Sequence, residues 1–105
     1  MDSRTILSEL KKLLDVEFPG LIGRVILYGS QATGEANEDS DFDVLVITRY
    51  ESDWRMKEAV MNVCYRIDLK YDVVTDVKIL AENELRTIKG RQPYIREAFS
   101  TGVTA

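Results

Sequence analysis

With 105 residues, 45% of them hydrophobic and 30% charged, the chain has the size of one domain and the composition of a globular protein able to bury a core. Its net charge of −4 argues against direct nucleic-acid binding, and no apolar run approaches the roughly 18 residues that a membrane-spanning helix needs. There is no histidine and a single cysteine, Cys64, which rules out imidazole chemistry and an intrachain disulfide, suits a cytoplasmic protein, and leaves any catalysis to carboxylates.

Taken in chain order, Ile6, Leu7, Leu10, Leu13 and Leu14 recur at three-and-four spacing and predict an amphipathic helix over 3–17. Asp2 or Ser3 can cap it, and Phe18-Pro19-Gly20 ends it. A short buried strand is expected over 24–28, closed by Gly29, with a brief helix or a loop over 30–36. Residues 42–48 form a continuously apolar run, the mark of a central strand covered on both faces. Ser52 or Asp53 opens a helix over 53–67, whose apolar stripe of Met56, Ala59, Val60, Val63, Cys64 and Ile67 makes Cys64 a core residue. Trp54 and Tyr65 are expected to pack or to lie at edges. A third strand is expected over 71–80, a short helix over 82–89, a turn at 90–93 and a last helix over 94–100. This order predicts a small α/β (α+β) fold, one domain over 1–105, without repeats or linkers.

The chemistry concentrates in 25–47. A Gly-Ser turn, Gly29-Ser30, follows the first strand, and ten residues later Asp41-Phe42-Asp43 opens the second. Strand alternation puts Asp41 and Asp43 on one face and Phe42 on the other. Such a pair of hard oxygen ligands suits Mg2+, while Gly29 lets a backbone approach a ligand closely and Ser30 offers a hydroxyl to a phosphate. If the two strands ran parallel, Ser30 and the aspartates would sit at opposite ends, about 15 Å apart at ~3.3 Å per residue. They can meet only across antiparallel strands, so a single site here predicts a mixed sheet whose first two strands are antiparallel.

Two plainer readings compete. Asp39-x-Asp41-x-Asp43 resembles the start of a calcium loop, but Val44 stands where that loop needs glycine and Tyr50 where it needs glutamate. Glu35, Glu38, Asp39, Asp41 and Asp43 crowd nine residues without a Lys or Arg, and a solvated acidic turn over Asp39 to Asp43 accounts for Asp39 but not for Asp43 set directly before a buried run. No Walker A or Gly-x-Gly-x-x-Gly segment competes for phosphate.

Gly29-Ser30, ten residues, Asp41-x-Asp43 closely resembles the signature of the DNA polymerase β-like nucleotidyltransferase superfamily, and the small size resembles its minimal members. The stretch from Glu84-Leu85 through Gly90-Arg91-Gln92-Pro93-Tyr94 to Gly102-Val103 is similar too, less specifically. The resemblance implies the nucleotidyltransferase fold, a small mixed sheet flanked by helices. It implies that Gly29 and Ser30 hold nucleotide phosphates, that Asp41 and Asp43 bind Mg2+, and that a third metal-binding and catalytic carboxylate lies on a later strand. Asp72 and Asp76 both fall in the predicted third strand and would share a face. Asp76-Val77-Lys78-Ile79-Leu80 matches the family pattern better, so Asp76 is the choice. Many minimal members carry an arginine where this chain has Thr33, so a phosphate contact would be lacking or come from Arg24, Lys89 or Arg91.

The implied function is Mg2+-dependent transfer of a nucleoside monophosphate, AMP from ATP, onto an acceptor hydroxyl. So short a chain leaves the acceptor to a partner protein or a subunit interface. Resemblance to minimal nucleotidyltransferase antitoxins points to a HEPN-type toxin as the acceptor. The alternatives are a module that neutralises a partner by contact alone and, less favoured for want of room to bind the antibiotic, an aminoglycoside nucleotidyltransferase.

Overall fold

The computed structural model describes residues 2–34 and 41–105. Helix α1 (Ser3–Glu17) begins where the Asp2 side chain accepts from the Arg4 N–H at 3.0 Å, and it turns Ile6, Leu7, Leu10 and Leu14 into the core. Strand β1 (Ile22–Tyr28) starts two residues earlier than the sequence suggests, because a bulge at Gly23 separates the Ile22 and Arg24 pairings. A single helical turn, α2 (Ser30–Thr33), ends on Gly34 in the left-handed conformation. Glu35, Glu38 and Asp39 lie outside the described residues.

Strand β2 (Phe42–Thr48) has the expected bounds, and six of its seven residues are buried. Helix α3 (Trp54–Tyr71) is capped by Asp53, whose carboxylate accepts from the Met56 N–H at 2.9 Å. It runs four residues past its predicted end. The extension is held by α1: Lys70 and the Tyr71 hydroxyl both reach Glu9, and Arg66 pairs with Glu17 at 3.1 Å. Strand β3 (Thr75–Ala81) is shorter at its start than predicted for that reason. Two 3-10 turns, Glu82–Arg86 and Ile88–Arg91, replace the single short helix, and α4 (Pro93–Thr101) follows with proline in its first turn. A two-residue strand, β4 (Val103–Thr104), was not expected from the sequence.

The sheet order is β3-β2-β1-β4, with β2 in the interior as its apolar run predicts. β1 pairs antiparallel with β2 and with β4, while β2 and β3 are parallel, so the sheet is mixed as the site argument required. α1 and α3 cover one face over Val25, Leu27, Phe42, Val44 and Val46. α4 covers the other through Ile95 and Ala98, over Ile26, Tyr28, Leu45, Ile47 and Leu80. Cys64 is buried among the α3 core residues, and burial pushes its thiol up to about 12. Trp54 and Tyr65 are exposed at 67% and 58% and so lie on the surface. Among the described residues, no helix is long and apolar enough to cross a membrane.

Candidate active site

Three strand ends meet at one edge of the sheet. β1 brings Tyr28, Gly29 and Ser30 out at its C-terminal end, and antiparallel pairing sets Tyr28 opposite Asp43, near the start of β2. Parallel pairing then sets Asp76 of β3 directly beside Asp43. Residues paired across a sheet point to the same face, so Tyr28, Asp43 and Asp76 all lie on the α4 side, with neighbouring Cα atoms about 5 Å apart. Asp41 precedes β2 by one residue and is exposed.

Gly29 is where the geometry is tightest. Its φ of 73° and ψ of −157° fall in a region open essentially to glycine alone. A Cβ at this position would overlap the Asp43 carboxylate. The turn therefore lies against the carboxylate face with no side chain between, and Ser30, half-buried, begins α2 beside it.

The charges are unbalanced. Burial, with the charges of Asp76, Asp41 and Glu97, holds Asp43 above the ordinary carboxylate range, and Lys78 alone pulls the other way. Lys78 donates to Asp76 at 3.1 Å. Burial and then the charges of Asp43 and Asp76 raise Tyr28 as well, so its hydroxyl stays protonated. Tyr28 stacks on Tyr94 of α4 with centroids 6.4 Å apart. α4 thus adds Tyr94 and Glu97 to the surroundings of Asp43. The sequence could have flagged Tyr28, next to the Gly-Ser turn. Nothing in it ties Tyr94 or Glu97 to aspartates fifty residues away.

The other candidates separate cleanly. Asp72 is not on β3. It caps α3 in the left-handed conformation, φ 53° and ψ 50°, so the expectation that it shares a strand face with Asp76 is corrected. Arg24 sits four residues back along β1, roughly 13 Å from Tyr28 at strand spacing, with its guanidinium over the Phe99 ring. Lys89 donates to Glu84 at 2.6 Å, and Glu84 caps Ala81 at the far end of β3. Neither stands near the Gly-Ser turn. Arg91 is exposed just before α4. Thr33 uses its hydroxyl on the carbonyls of Gly29 and Ser30, at 3.4 Å each.

Carboxylate oxygens from Asp41, Asp43 and Asp76 suit a hard divalent cation in donor type, and the crowding that raises Asp43 is the kind a cation relieves. As the side chains lie, no three potential metal ligands among the described residues converge on one point, and Asp76 is engaged with Lys78.

A nucleotidyltransferase domain model matches residues 4–100. Two proteins of Methanocaldococcus jannaschii, both provisionally named protein adenylyltransferases, are similar in sequence. One is 34% identical over 70% of this chain and 75% of its own length. The other is 30% identical over 78% and 77%. Among solved structures, one described as a candidate minimal nucleotidyltransferase superposes with a TM-score of 0.61 at 25% identity, covering 98% of this chain and 95% of its own. A toxin–antitoxin structure with AMP-PNP gives a TM-score of 0.63 at 18% identity, covering 92% and 69%. A complex of tri-AMPylated Shewanella oneidensis HEPN toxin with an MNT antitoxin gives 0.58 at 16%, covering 96% and 69%. These last two likenesses concern the fold. With its domain model spanning nearly the whole chain, its mixed sheet and its Gly-Ser turn set against paired aspartates, this chain belongs to the nucleotidyltransferase domain family.

Proposed function

We propose that the chain transfers AMP from ATP to a hydroxyl of a partner protein, with Mg2+ as the cofactor. The observation that carries the reading is the in-register pair Asp43 and Asp76 beside the Gly29-Ser30 turn. Asp41, Asp43 and Asp76 are the residues that would hold Mg2+, which when bound supplies positive charge against the phosphate oxygens. Gly29 lets the triphosphate approach the backbone, and Ser30 orients it. Asp76, on the outer strand of the three, takes the acceptor proton. The acceptor oxygen forms the new bond to the α-phosphorus, the bond from that phosphorus to the bridging oxygen breaks, and pyrophosphate leaves with the electron pair. Tyr28, kept protonated, offers its O–H to this cluster of acidic groups.

A protein acceptor is supported by the provisional names of the two archaeal relatives. A HEPN-type toxin is the first acceptor to test, because one structure sharing this fold holds an AMPylated HEPN toxin with its antitoxin. The assay incubates the chain with α-labelled ATP, Mg2+ and the product of the neighbouring gene. Label on the partner, lost in Asp41→Asn and Asp43→Asn, supports the reading. A tight complex with no label in any condition sinks it in favour of neutralisation by contact.

A further inference from the structure

β3 is an edge strand, and its outer side is paired with no strand among the described residues. The Phe42 N–H donates to the Val74 carbonyl at 2.8 Å, which fixes the alternation of the ladder. Main-chain groups of Asp76, Lys78 and Leu80 turn toward β2, and those of Thr75, Val77 and Ile79 turn outward. The Thr75 N–H agrees, since it donates to Asp68 of α3 at 3.2 Å rather than to the sheet. That leaves the main-chain groups of Val77 and Ile79 facing out, in a strand without proline or bulge.

Next to this edge lies a cavity of about 340 Å³, lined by Met61, Tyr65, Asp68, Thr75, Asp76 and Val77. Its apolar lining is open: Met61 and Tyr65 are exposed, and so are Leu69, further along α3, and Val74, just before β3. Its charge is mainly acidic, because Lys78, the one cation of β3, is already paired with Asp76 at 3.1 Å. The nearby basic side chains of α3, Arg66 and Lys70, are already paired with Glu17 and Glu9 of α1. Glu58, one turn before Met61, and Asp68 and Asp72 at the helix end face no such partner in an ion pair among the described residues.

We propose that β3 receives the acceptor as an added strand: an extended segment carrying basic side chains on either side of the hydroxyl residue. Pairing against β3 gives the segment the free groups of Val77 and Ile79. The acidic strip on α3 takes the basic side chains. A residue opposite Asp76 on the added strand shares the face that holds Asp76 and Asp43, one strand spacing further out, so its hydroxyl comes beside Asp76. The inference rests on Asp76 being the acceptor-side carboxylate of the proposed transfer.

The test uses a short synthetic peptide that alternates valine and lysine about one tyrosine, with glutamate replacing lysine in a control. Binding is followed by fluorescence anisotropy, and transfer separately by label from ATP. Val77→Pro and Ile79→Pro each remove an outward N–H and no ladder bond, but both side chains also pack on the α1/α3 core, so the thermal midpoint is expected to fall while ATP-analogue binding by the folded variants holds. The lysine peptide is expected to bind the parent, and each proline variant to weaken it about tenfold, the effect of one main-chain hydrogen bond. Glu58→Arg, on the helix surface, is expected to weaken it without altering the strand, which covers a proline variant that fails to fold. Equal binding of the lysine peptide by parent and variants, or a preference for the glutamate peptide, overturns the proposal. So does a self-associated parent that Val77→Pro makes monomeric, which assigns the edge to a second copy. Because binding is read apart from transfer, a peptide that binds at the edge but takes no label counts against the proposed activity and not against the docking strand.

Discussion

Gly29→Ala separates the role of the turn from ordinary glycine strain. At φ 73° and ψ −157°, alanine pays about 1–3 kcal/mol for a region that L-residues avoid. Its Cβ also meets the Asp43 carboxylate, and moving that side chain off its preferred rotamer adds ~0.5–1.5 kcal/mol. The sum, about 2–4 kcal/mol, corresponds to a fall of roughly 10–30 °C in thermal midpoint for a domain of this size. Gly34→Ala is the control: φ is 82° and ψ 8°, and among the described residues nothing lies within 4 Å of the added Cβ, so only left-handed strain of ~1 kcal/mol remains. Thermal unfolding by circular dichroism and label transfer below both midpoints measure the two effects. The expected outcome is that Gly34→Ala melts slightly early and stays active, while Gly29→Ala melts far earlier and transfers little even when folded. Equal midpoints and equal activities in the two variants would refute the claim that Gly29 is set by its contact with Asp43.

Asp76→Asn is expected to abolish transfer with the fold intact at any acceptor concentration, whereas Asp72→Gly, at a left-handed helix cap, is expected to keep transfer at saturating acceptor and raise stability by about 0.5–1 kcal/mol; the reverse pattern in a transfer assay exchanges their roles. Glu84→Gln keeps an amide oxygen for the Ala81 N–H but loses the charge that Lys89 pairs with, so it is expected to lower the thermal midpoint at neutral pH by a few degrees. The hydrogen bond from Lys89, then that from Ala81, holds Glu84 below its ordinary 4.5, so its stabilisation is present above that pH and is lost as pH falls through the lower folded value. Melts of parent and variant should therefore converge in acid, and a constant gap across pH counts against the pairing. Cys64, with its thiol pushed up to about 12 in the core, is expected to resist alkylation at pH 8 until denaturant is added, and rapid labelling of the native chain would place it elsewhere.

The elements that build the site were legible because their signals are local. Val25 to Tyr28 and Val44 to Ile47 read as strands from composition alone. The antiparallel relation of β1 and β2 followed from asking how Ser30 could reach Asp43. What escaped was set by contacts distant in sequence. No local stop signal separates Ile67 from Tyr71, and the helix continues because Glu9 and Glu17 of α1 hold its last turn. That continuation removed Asp72 from the strand. β4 is two residues long and exists because β1 offers an edge at Ile26 and Leu27, which no pattern in Val103–Thr104 announces. Tyr94 and Glu97 reach the site only through the packing of α4 on the face opposite α1 and α3.

The register of β2 raises a harder question than its existence. Because both faces of the sheet are covered, a one-residue slip of Val44 to Ile47 exchanges one apolar side chain for another and costs little through burial alone. The Asp43 end of the strand therefore decides. At that end, a slip would carry the Asp43 carboxylate into the face occupied by Phe42 and α3, and its place against Gly29 would be taken by an apolar side chain. At the other, the fully buried Thr48 donates its hydroxyl to the Tyr50 carbonyl at 2.8 Å, a bond local to the chain that moves with the strand and marks no register. Burying an unpaired carboxylate costs more than an aliphatic exchange recovers. The aspartate that crowds the site electrostatically is thus also a register mark for the strand that carries it, and the mark and the site depend on the same contact with Gly29.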